Sequence, residues 1–355
     1  MKLPARFVPS GDMISGGMSH AQVCVDANLK RSVVVKRLQD ATDERRLVDE
    51  ISALGRIRSK HVVQIYDVIQ GKSGNVKALV EEYIPGSDLT ALAPLSDRAT
   101  FLKTAYAISC GLSDIHAEGV IHRDIKPVNM KFDAEACLKI FDFGLARSVG
   151  SDAATEGAVG TSGFMAPELC PLGWDDEVRF GPEVDVYAFG ATLVWLIHAS
   201  VPKEMKRRVP SVPDEASFTK SGLGLPQDVA AILDATLSSA PRDRPTSAQV
   251  RDFLGAHLLR DKHRAMLVAN GDLHELHAGQ KSVLVSLKNL GSFKIAYNGL
   301  SFSITEATDN VYVNNVSVTA PYRLPGACVV TVGIPELGMN RVHVTVDVSH
   351  PEVVL

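Results

Sequence analysis

The sequence has few of the features that mark secreted, zinc-binding or membrane-spanning proteins. Its five cysteines are scattered along 355 residues and form no C-x-x-C pair. This spacing disfavours a disulfide framework and a zinc site, and it is typical of a reducing compartment. No apolar run approaches the roughly 18 residues that a transmembrane helix needs, and the N-terminus lacks the apolar core of a signal peptide. We therefore expect a soluble, cytoplasmic protein without a membrane span.

An excess of one charge is also lacking. The chain has 37 Lys and Arg against 41 Asp and Glu, a formal net charge of −4, so charge offers no argument for binding nucleic acid or an anionic membrane. The hydrophobic content of 45% is ample for sizeable cores. A chain of this length favours two domains.

The most informative segments are residues 122–129, HRDIKPVN, and the Asp142-Phe143-Gly144 tripeptide that follows. They place two carboxylates and an amide on consecutive loops, and oxygen groups of this kind are the ligands that Mg²⁺ prefers. The order and spacing resemble the H-R-D-x-x-x-x-N and D-F-G signatures of eukaryotic-like (Hanks-type) serine/threonine protein kinases, particularly bacterial members.

This resemblance implies an α+β, bilobal kinase fold over residues 1–260, with an N-lobe at about 8–84 and a C-lobe at about 85–260. It also implies ATP and Mg²⁺ as cofactors and proteins as substrates. The implied catalytic residues are Asp124, which orients the attacking hydroxyl, and Lys126, which offsets charge on the transferring phosphate. The implied metal ligands are Asn129 and Asp142.

The implied ATP-binding residues lie upstream. A β-branched strand at 32–36 ends on Lys36, and a helical pattern that begins near Thr42 carries Glu50 beside its apolar stripe. In the kinase family such a lysine contacts phosphates and pairs with such a glutamate. The remaining implied ATP-binding residues are Gly16 and Gly17 in a phosphate-covering loop with one aligned glycine, and Glu82 and Ile84 in the hinge.

Two positions depart from the kinase pattern. Counting along the motifs places Glu81 at the gatekeeper of the base pocket and Lys131 at its floor, where apolar residues are usual. A lone buried charge is costly, so each must be paired, partly solvated or misaligned. We favour a register slip that makes Val80 the gatekeeper. The alternative is an unusual base pocket that tolerates GTP.

Residues 145–160 form a polar run without periodicity, as expected of an activation loop. We predict regulatory phosphorylation at Ser148, Ser151 or Thr155, with Arg123 available to pair with the phosphate. An unmodified polar loop is the alternative.

The segment 160–168 resembles the G-T-x-x-Y-M-A-P-E substrate platform, where Thr161 together with Lys126 indicates serine/threonine specificity. The resemblance assigns structural roles to Arg123, to Asp185, which braces the catalytic loop, and to an Arg244–Glu168 ion pair. A basic cluster at Lys203, Lys206, Arg207 and Arg208 could dock an acidic substrate. We favour the simpler interpretation, a solvated loop.

The kinase resemblance ends near residue 260, and we interpret 261–270 as a linker at the end of a helix. Residues 271–355 have short β-branched runs and an Asn298-Gly299 hairpin signal, so they predict an immunoglobulin-like β-sandwich. Its histidines lack metal-ligand spacing. The predicted strands are Ser282–Leu287, Phe293–Tyr297, Leu300–Ile304, Val311–Val318, Ala327–Val332 and Val342–Val348.

The leading hypothesis is an active serine/threonine protein kinase whose β-domain, 271–355, recruits a partner or substrate. A pseudokinase scaffold that binds through the β-domain is the second hypothesis, motivated by the poor glycine loop. A small-molecule kinase is the third, although such enzymes lack the Thr161–Glu168 platform.

Overall fold

The computed structural model describes residues 3–15, 19–38, 44–71, 74–149, 154–156, 160–170, 177–269, 271–349 and 351–353. The chain forms two compact units, and their boundary in sequence lies between Leu254 and Gly255. We call them the N-terminal unit and the C-terminal unit. No helix in these described ranges is long and apolar enough to cross a membrane.

The N-terminal unit begins with a five-stranded antiparallel sheet in the order β1-β2-β3-β5-β4. Helix α1 lies in sequence between its third and fourth strands. The bounds are β1 (Phe7–Ser15), β2 (Ser19–Asp26), β3 (Arg31–Leu38), α1 (Glu44–Arg56), β4 (Ile65–Gln70) and β5 (Val76–Glu82).

Strand alternation gives this sheet two different faces. Val33, Val35 and Val80 belong to a hydrophobic cluster on one face. Val34 of β3 is paired with Glu81 of β5, so alternation places Glu81 and Lys36 together on the opposite face. This second face carries the charged groups described below.

The rest of the N-terminal unit is mainly helical, with short strand pairs between the helices. Helix α2 is capped by Asp97, whose side chain accepts from the amide of Thr100. The bounds are α2 (Arg98–Ala117), β6 (Val120–Ile121), β7 (Met130–Phe132), β8 (Leu138–Ile140), β9 (Arg147–Ser148), β10 (Ala154–Glu156), β11 (Glu177–Arg179), α3 (Glu183–His198), α4 (Gln227–Thr236) and α5 (Ser247–Leu258), and the sequence boundary between the two units falls within α5. The strands pair as β6 with β9, β7 with β8 and β10 with β11.

The C-terminal unit consists of a six-stranded sheet, β13-β12-β21-β20-β17-β18, and a four-stranded sheet, β14-β15-β16-β19. Buried side chains of both sheets form one hydrophobic cluster, which defines a sandwich. The bounds are β12 (Ala265–Ala269), β13 (Asp272–Leu276), β14 (Ser282–Leu287), β15 (Gly291–Tyr297), β16 (Phe302–Ala307), β17 (Val311–Val313), β18 (Val316–Ser317), β19 (Tyr322–Arg323), β20 (Cys328–Val332) and β21 (Val342–Val348).

The α+β fold class is confirmed, and so is the hairpin at Asn298-Gly299, which joins β15 to β16. The immunoglobulin-like topology stays a prediction. Two local predictions need correction. Residues 261–270 are not simply a linker, because they contain β12, which pairs with both β13 and β21. The single strand at 311–318 is a hairpin, because Asn314 and Asn315 have φ angles of 49° and 67° that turn the chain.

Candidate active site

Three elements bring one lysine and two carboxylates together. Lys36 lies near the end of β3, and its Nζ is 2.7 Å from Glu50 Oε1 on α1 and 2.7 Å from Asp142 Oδ1. The backbone N–H of Phe143 donates to the same Glu50 oxygen at 3.1 Å. Glu50 therefore links α1, β3 and the Asp142 segment, and three residues predicted to act together are adjacent.

The charges of this cluster stabilise one another. Burial alone would lower the pKa of Lys36, but the carboxylates of Glu50 and Asp142 outweigh burial and raise that pKa above its ordinary value. Burial would raise the pKa of Asp142, yet the Lys36 ammonium holds it below the usual range. Lysine and aspartate are therefore both charged at neutral pH, as a site that handles phosphate and metal requires.

A second cluster surrounds Asp124. Its Oδ1 accepts from Thr161 Oγ1 at 2.6 Å, and its Oδ2 lies 2.7 Å from Lys126 Nζ. Lys126 Nζ also donates to Thr161 Oγ1 at 2.7 Å, which closes a triangle of three side chains. The side-chain amide of Asn129 donates from Nδ2 to Asp124 Oδ2 at 2.9 Å. A carboxylate, a cation and a hydroxyl are thus held in fixed positions around one point.

Backbone pairing places Asn129 opposite Phe141, the residue that precedes Asp142. Met130 of β7 is paired with Ile140 of β8, and the backbone amide of Phe141 donates to the Asn129 carbonyl at 3.0 Å. The two residues predicted as metal ligands therefore come from adjacent chain segments. Their amide and carboxylate oxygens suit Mg²⁺, which usually takes few protein ligands and keeps other positions for water and phosphate.

The segment that begins at His122 is fixed by a buried carboxylate, Asp185 of α3. Its two oxygens accept from the amides of His122 and Arg123, each at 2.7 Å. His116 of α2 also contacts Asp185 at 3.0 Å, and its other ring nitrogen lies 2.9 Å from Ser247 Oγ. His116 was missed by the sequence interpretation, because a single histidine near the end of an apolar helix gives no motif signal.

Two predicted structural residues form a bidentate ion pair. Arg244 Nη1 lies 2.6 Å from Glu168 Oε1, and Arg244 Nη2 lies 2.8 Å from Glu168 Oε2. The Arg244 side chain is fully buried and donates further to backbone carbonyls at Ser238 and Glu183. This geometry fixes the end of the 161–168 segment against α3.

The backbone is strained at two of these residues. Arg123 and Asp142 have φ angles of 67° and 68°, in the left-handed region that residues with a side chain seldom occupy. Strain of this kind is held in place by surrounding contacts and is concentrated at functional sites. The hydrogen bond from the Arg123 amide to Asp185 and the ion pair between Asp142 and Lys36 are such contacts.

The favoured register slip at the hinge is wrong. Val80 is buried in the hydrophobic cluster on the far face of the sheet, whereas Glu81 shares the face of Lys36. Glu81 is 6% exposed, and within the described chain its Oε1 has no hydrogen-bond partner. Burial raises the pKa of Glu81 to about 8, against the attraction of Lys36 and with a further contribution from Glu50.

The other departure, Lys131, is half-buried and lies with its Nζ 5.9 Å from the centre of the Phe141 ring. A partly solvated cation over an aromatic face avoids the cost of a lone buried charge. In the hinge, the Glu82 side chain accepts from the Gln64 amide and lies 3.0 Å from Lys139 Nζ. Ile84 is buried. The roles of Glu82 and Ile84 in ATP binding stay predictions.

The predicted phosphorylation sites are dispersed. Ser148 lies in β9 opposite Val120, and Thr155 lies in β10 opposite Val178. Ser151 lies outside the described residues, as do Gly16 and Gly17. Arg123 Nε donates to the Leu145 carbonyl, and its guanidinium lies 5.1 Å from the centre of the Phe180 ring.

The comparisons with known proteins agree with this geometry. A family model for the protein kinase domain matches residues 11–254. The serine/threonine-protein kinase PknL of Mycobacterium tuberculosis is 31% identical over 211 residues, which is 56% of this chain and 51% of PknL. PknK of Mycobacterium bovis is 30% identical over 268 residues, which is 69% of this chain and 23% of PknK.

A probable serine/threonine-protein kinase of Clostridium acetobutylicum is 32% identical over 197 residues, which is 53% of this chain and 29% of the relative. The chain therefore spans about half the length of PknL and less of the other two relatives. The family model covers most of the chain and includes the Lys36 and Asp124 clusters, so the chain belongs to the protein kinase family.

Proposed function

We propose that the protein is an ATP-dependent serine/threonine protein kinase. The observation that carries this proposal is the closed triangle of Asp124, Lys126 and Thr161 near the ion pairs that join Lys36 to Glu50 and Asp142. A scaffold that only binds nucleotide has no need for a hydroxyl-orienting carboxylate held by three donors.

In this proposal Asp124 orients the acceptor hydroxyl and accepts its proton. Lys126 is held 2.7 Å from that carboxylate, where its charge offsets the negative charge that develops during transfer. Lys36 binds phosphate oxygens, and Glu50 keeps its ammonium in position. Asn129 and Asp142 would hold Mg²⁺, which when bound neutralises phosphate charge.

Transfer of radiolabel from ATP to a general protein substrate tests the activity. Wild type is compared with Asp142→Ala, and Asp272→Ala, an exposed residue of the C-terminal unit, serves as the matched control. We expect Asp142→Ala to lose at least about 100-fold in rate, the usual effect of removing one electrostatic stabiliser, while the control is unchanged. Equal transfer by wild type and Asp142→Ala, or none by either, would favour the pseudokinase scaffold.

We propose that the active protein phosphorylates its own loop at Ser148, Ser151 or Thr155. The polar composition of 145–160 and the nearby Arg123 support this. Mass spectrometry after incubation with Mg-ATP should find added phosphate in wild type and none in Asp142→Ala. An unmodified loop in an active sample would exclude it.

We propose an atypical base pocket, because Glu81 places a buried carboxyl on the Lys36 face of the sheet. A carboxyl group can accept a hydrogen bond or, when protonated, donate one, so it can face the amino group of adenine or the oxygen of guanine. The rates of transfer from ATP and GTP should be compared in wild type and Glu81→Met. Strict ATP selectivity in both proteins would remove this proposal.

We propose that the C-terminal unit recruits a protein partner. A row of side chains across the six-stranded sheet supports this, since Leu273, Val268, Thr345 and Val329 are cross-strand neighbours. The three apolar members are 62%, 51% and 36% exposed. Partner capture by the whole protein should be lost in Val268→Lys and kept in Lys288→Glu.

We propose that the protein functions in the cytoplasm, and its five free cysteines support this location.

A further inference from the structure

A strongly cationic surface loop lies at 203–208, and we call it the basic loop. Its four cations are all exposed: Lys203, Lys206, Arg207 and Arg208. Its single acid, Glu204, lies 3.4 Å from Arg207, which remains 61% exposed. A protein whose net charge is −4 therefore carries a local concentration of positive charge here. Such a patch attracts negatively charged segments of a partner.

The basic loop touches the segment that begins at Thr161. Ser162 Oγ donates to the Lys206 carbonyl at 3.3 Å. Gly163 has a φ of 91°, and a Cβ built on it would lie 2.5 Å from Val201 and 3.4 Å from Lys206 Cγ. Only glycine allows this close approach. The cations are thus placed beside the 161–168 segment by direct contact.

The loop is held in place from beneath. Met205 is fully buried between exposed lysines, and its amide donates to the Pro202 carbonyl at 3.1 Å. The Ser211 amide donates to the Glu204 carbonyl at 3.3 Å, which closes the far side of the turn. A cation presented on a fixed turn loses less conformational freedom on binding than one on a mobile loop.

Few residues separate the basic loop's contact at Gly163 from Thr161, which is hydrogen-bonded to Asp124. Thr161 donates to Asp124, the proposed partner of the acceptor hydroxyl, and Gly163, two residues later, touches the basic loop. An extended peptide advances about 3.3 Å per residue, so side chains within about four positions of the acceptor can reach lysine or arginine side chains of this length. The nearby carboxylate of Glu168 is already paired with Arg244 and does not neutralise the loop.

We propose that the basic loop selects substrates, and that the protein prefers serine or threonine acceptors with acidic residues within about four positions. This inference rests on the proposed kinase function and narrows it to acidic protein segments. It reverses the sequence interpretation of the cluster as a plain solvated loop. The contact between Lys206 and the segment that orients Asp124 is the reason for the change.

The test uses three peptides with one central serine: three glutamates after the serine, three before it, and three glutamines in both places. We expect kcat/KM for one glutamate peptide to exceed that for the glutamine peptide about tenfold, chiefly through KM, because several exposed charge pairs each contribute a small amount. The preference should shrink as salt rises, since exposed charges are screened.

The double variant Lys203→Glu, Lys206→Glu should lose this preference and keep wild-type kcat/KM on the glutamine peptide. Lys103→Glu is the control, because it makes one such Lys→Glu substitution, with half of the charge change of the double variant, at an exposed position of α2. Equal rates on glutamate and glutamine peptides in wild type would overturn the inference. An equal loss of the glutamate preference in Lys103→Glu would also overturn the inference. Either result leaves the kinase function intact.

Peptides with alanine in place of serine make the test independent of transfer. Their binding to the whole protein, measured by fluorescence anisotropy, should favour glutamate over glutamine and lose that difference in the double variant. Absence of transfer to every peptide would refute the kinase function and, with it, substrate selection; a glutamate preference in binding would then show only that the basic loop binds acidic segments. Tighter binding of a single-stranded oligonucleotide than of the glutamate peptide would overturn it.

Discussion

The two units of this protein bury different kinds of side chain. The described core of the N-terminal unit contains many charged groups, whereas that of the C-terminal unit is almost wholly apolar, with Thr331 its one buried polar residue among those described. The buried charged residues of the N-terminal unit include Asp26, Lys36, Glu50, Glu81, Arg123, Asp124, Lys139, Asp185 and Arg244.

The difference shows where each unit obtains its stability. A buried charge is tolerated only with a partner, so the N-terminal unit depends on specific pairs such as Arg244–Glu168. The C-terminal unit depends on alternation, as in β14, where every second side chain is buried. Fixed charges are costly to bury, and some of them, such as Lys36 and Asp124, belong to the candidate site whereas others, such as Arg244, are structural.

The largest effect should come from leaving a buried charge unpaired. Glu168→Ala removes the partner of a fully buried arginine and should lower the free energy of unfolding by about 3–5 kcal/mol. Urea unfolding followed by tryptophan emission measures it, because both tryptophans, Trp174 and Trp195, precede residue 255. A loss below about 1 kcal/mol would contradict the importance given to this pair.

A cavity in the apolar core should have the next largest effect. Ile295→Ala removes a fully buried side chain of β15 and should cost about 2–5 kcal/mol. Hydrogen exchange should rise in peptides from β14, β15 and β16, with little change in tryptophan emission or phosphate transfer. Leu284→Ala, at an exposed position of β14, is the control. A similar rise there would show that the effect is not one of burial.

The third effect depends on pH, and it is smaller than the first two when it is compared per pH unit. The pKa of Glu81 rises from 4.5 in the unfolded chain to about 8 in the fold, so the folded state holds an extra proton between these values. Stability of the N-terminal unit should therefore fall as pH rises through this window, by up to about 1.4 kcal/mol per pH unit. Glu81→Gln should remove this dependence in urea unfolding without metal or nucleotide. Glu118→Gln, at an exposed position, should retain it.

The smallest effect should come from an ion pair on the surface of the C-terminal unit. Lys294 and Glu306 are paired across β15 and β16 at 2.9 Å, and their side chains are 35% and 65% exposed. Lys294→Ala should change the free energy of unfolding by less than about 1 kcal/mol. Thermal unfolding of the whole protein would check it. A loss as large as that of Glu168→Ala would erase the contrast between the two units.

Much of the C-terminal unit could be predicted from alternation. The predicted bounds of Ser282–Leu287 and Val342–Val348 agree with β14 and β21, because β-branched residues recur there at every second position. Strand β12 was missed, since its AMLVA sequence contains good helix formers and follows a helix. Its pairing with β13 and β21 decides its conformation, and pairing between distant segments is not visible in a local pattern.

The candidate site shows the same division. Motif spacing identified Lys36, Glu50 and Asp142, and the structure brings these three together. Motif spacing could not decide between Val80 and Glu81 at the hinge, because the face that a strand residue occupies depends on its register with the neighbouring strand. The pairing of Glu81 with Val34 supplies that register.

At Arg123 and Asp142 the left-handed backbone conformation is unfavourable for a residue with a side chain, yet each side chain makes contacts that glycine could not make. Glycine would adopt these φ angles without strain, but it carries neither a guanidinium nor a carboxylate. Glycine would therefore relieve the strain at both positions, but it would also remove the Lys36–Asp142 ion pair and the contacts of the Arg123 side chain. A library screened first for heat resistance and then for phosphate transfer would separate these effects, since glycine should be tolerated better in the first screen than in the second.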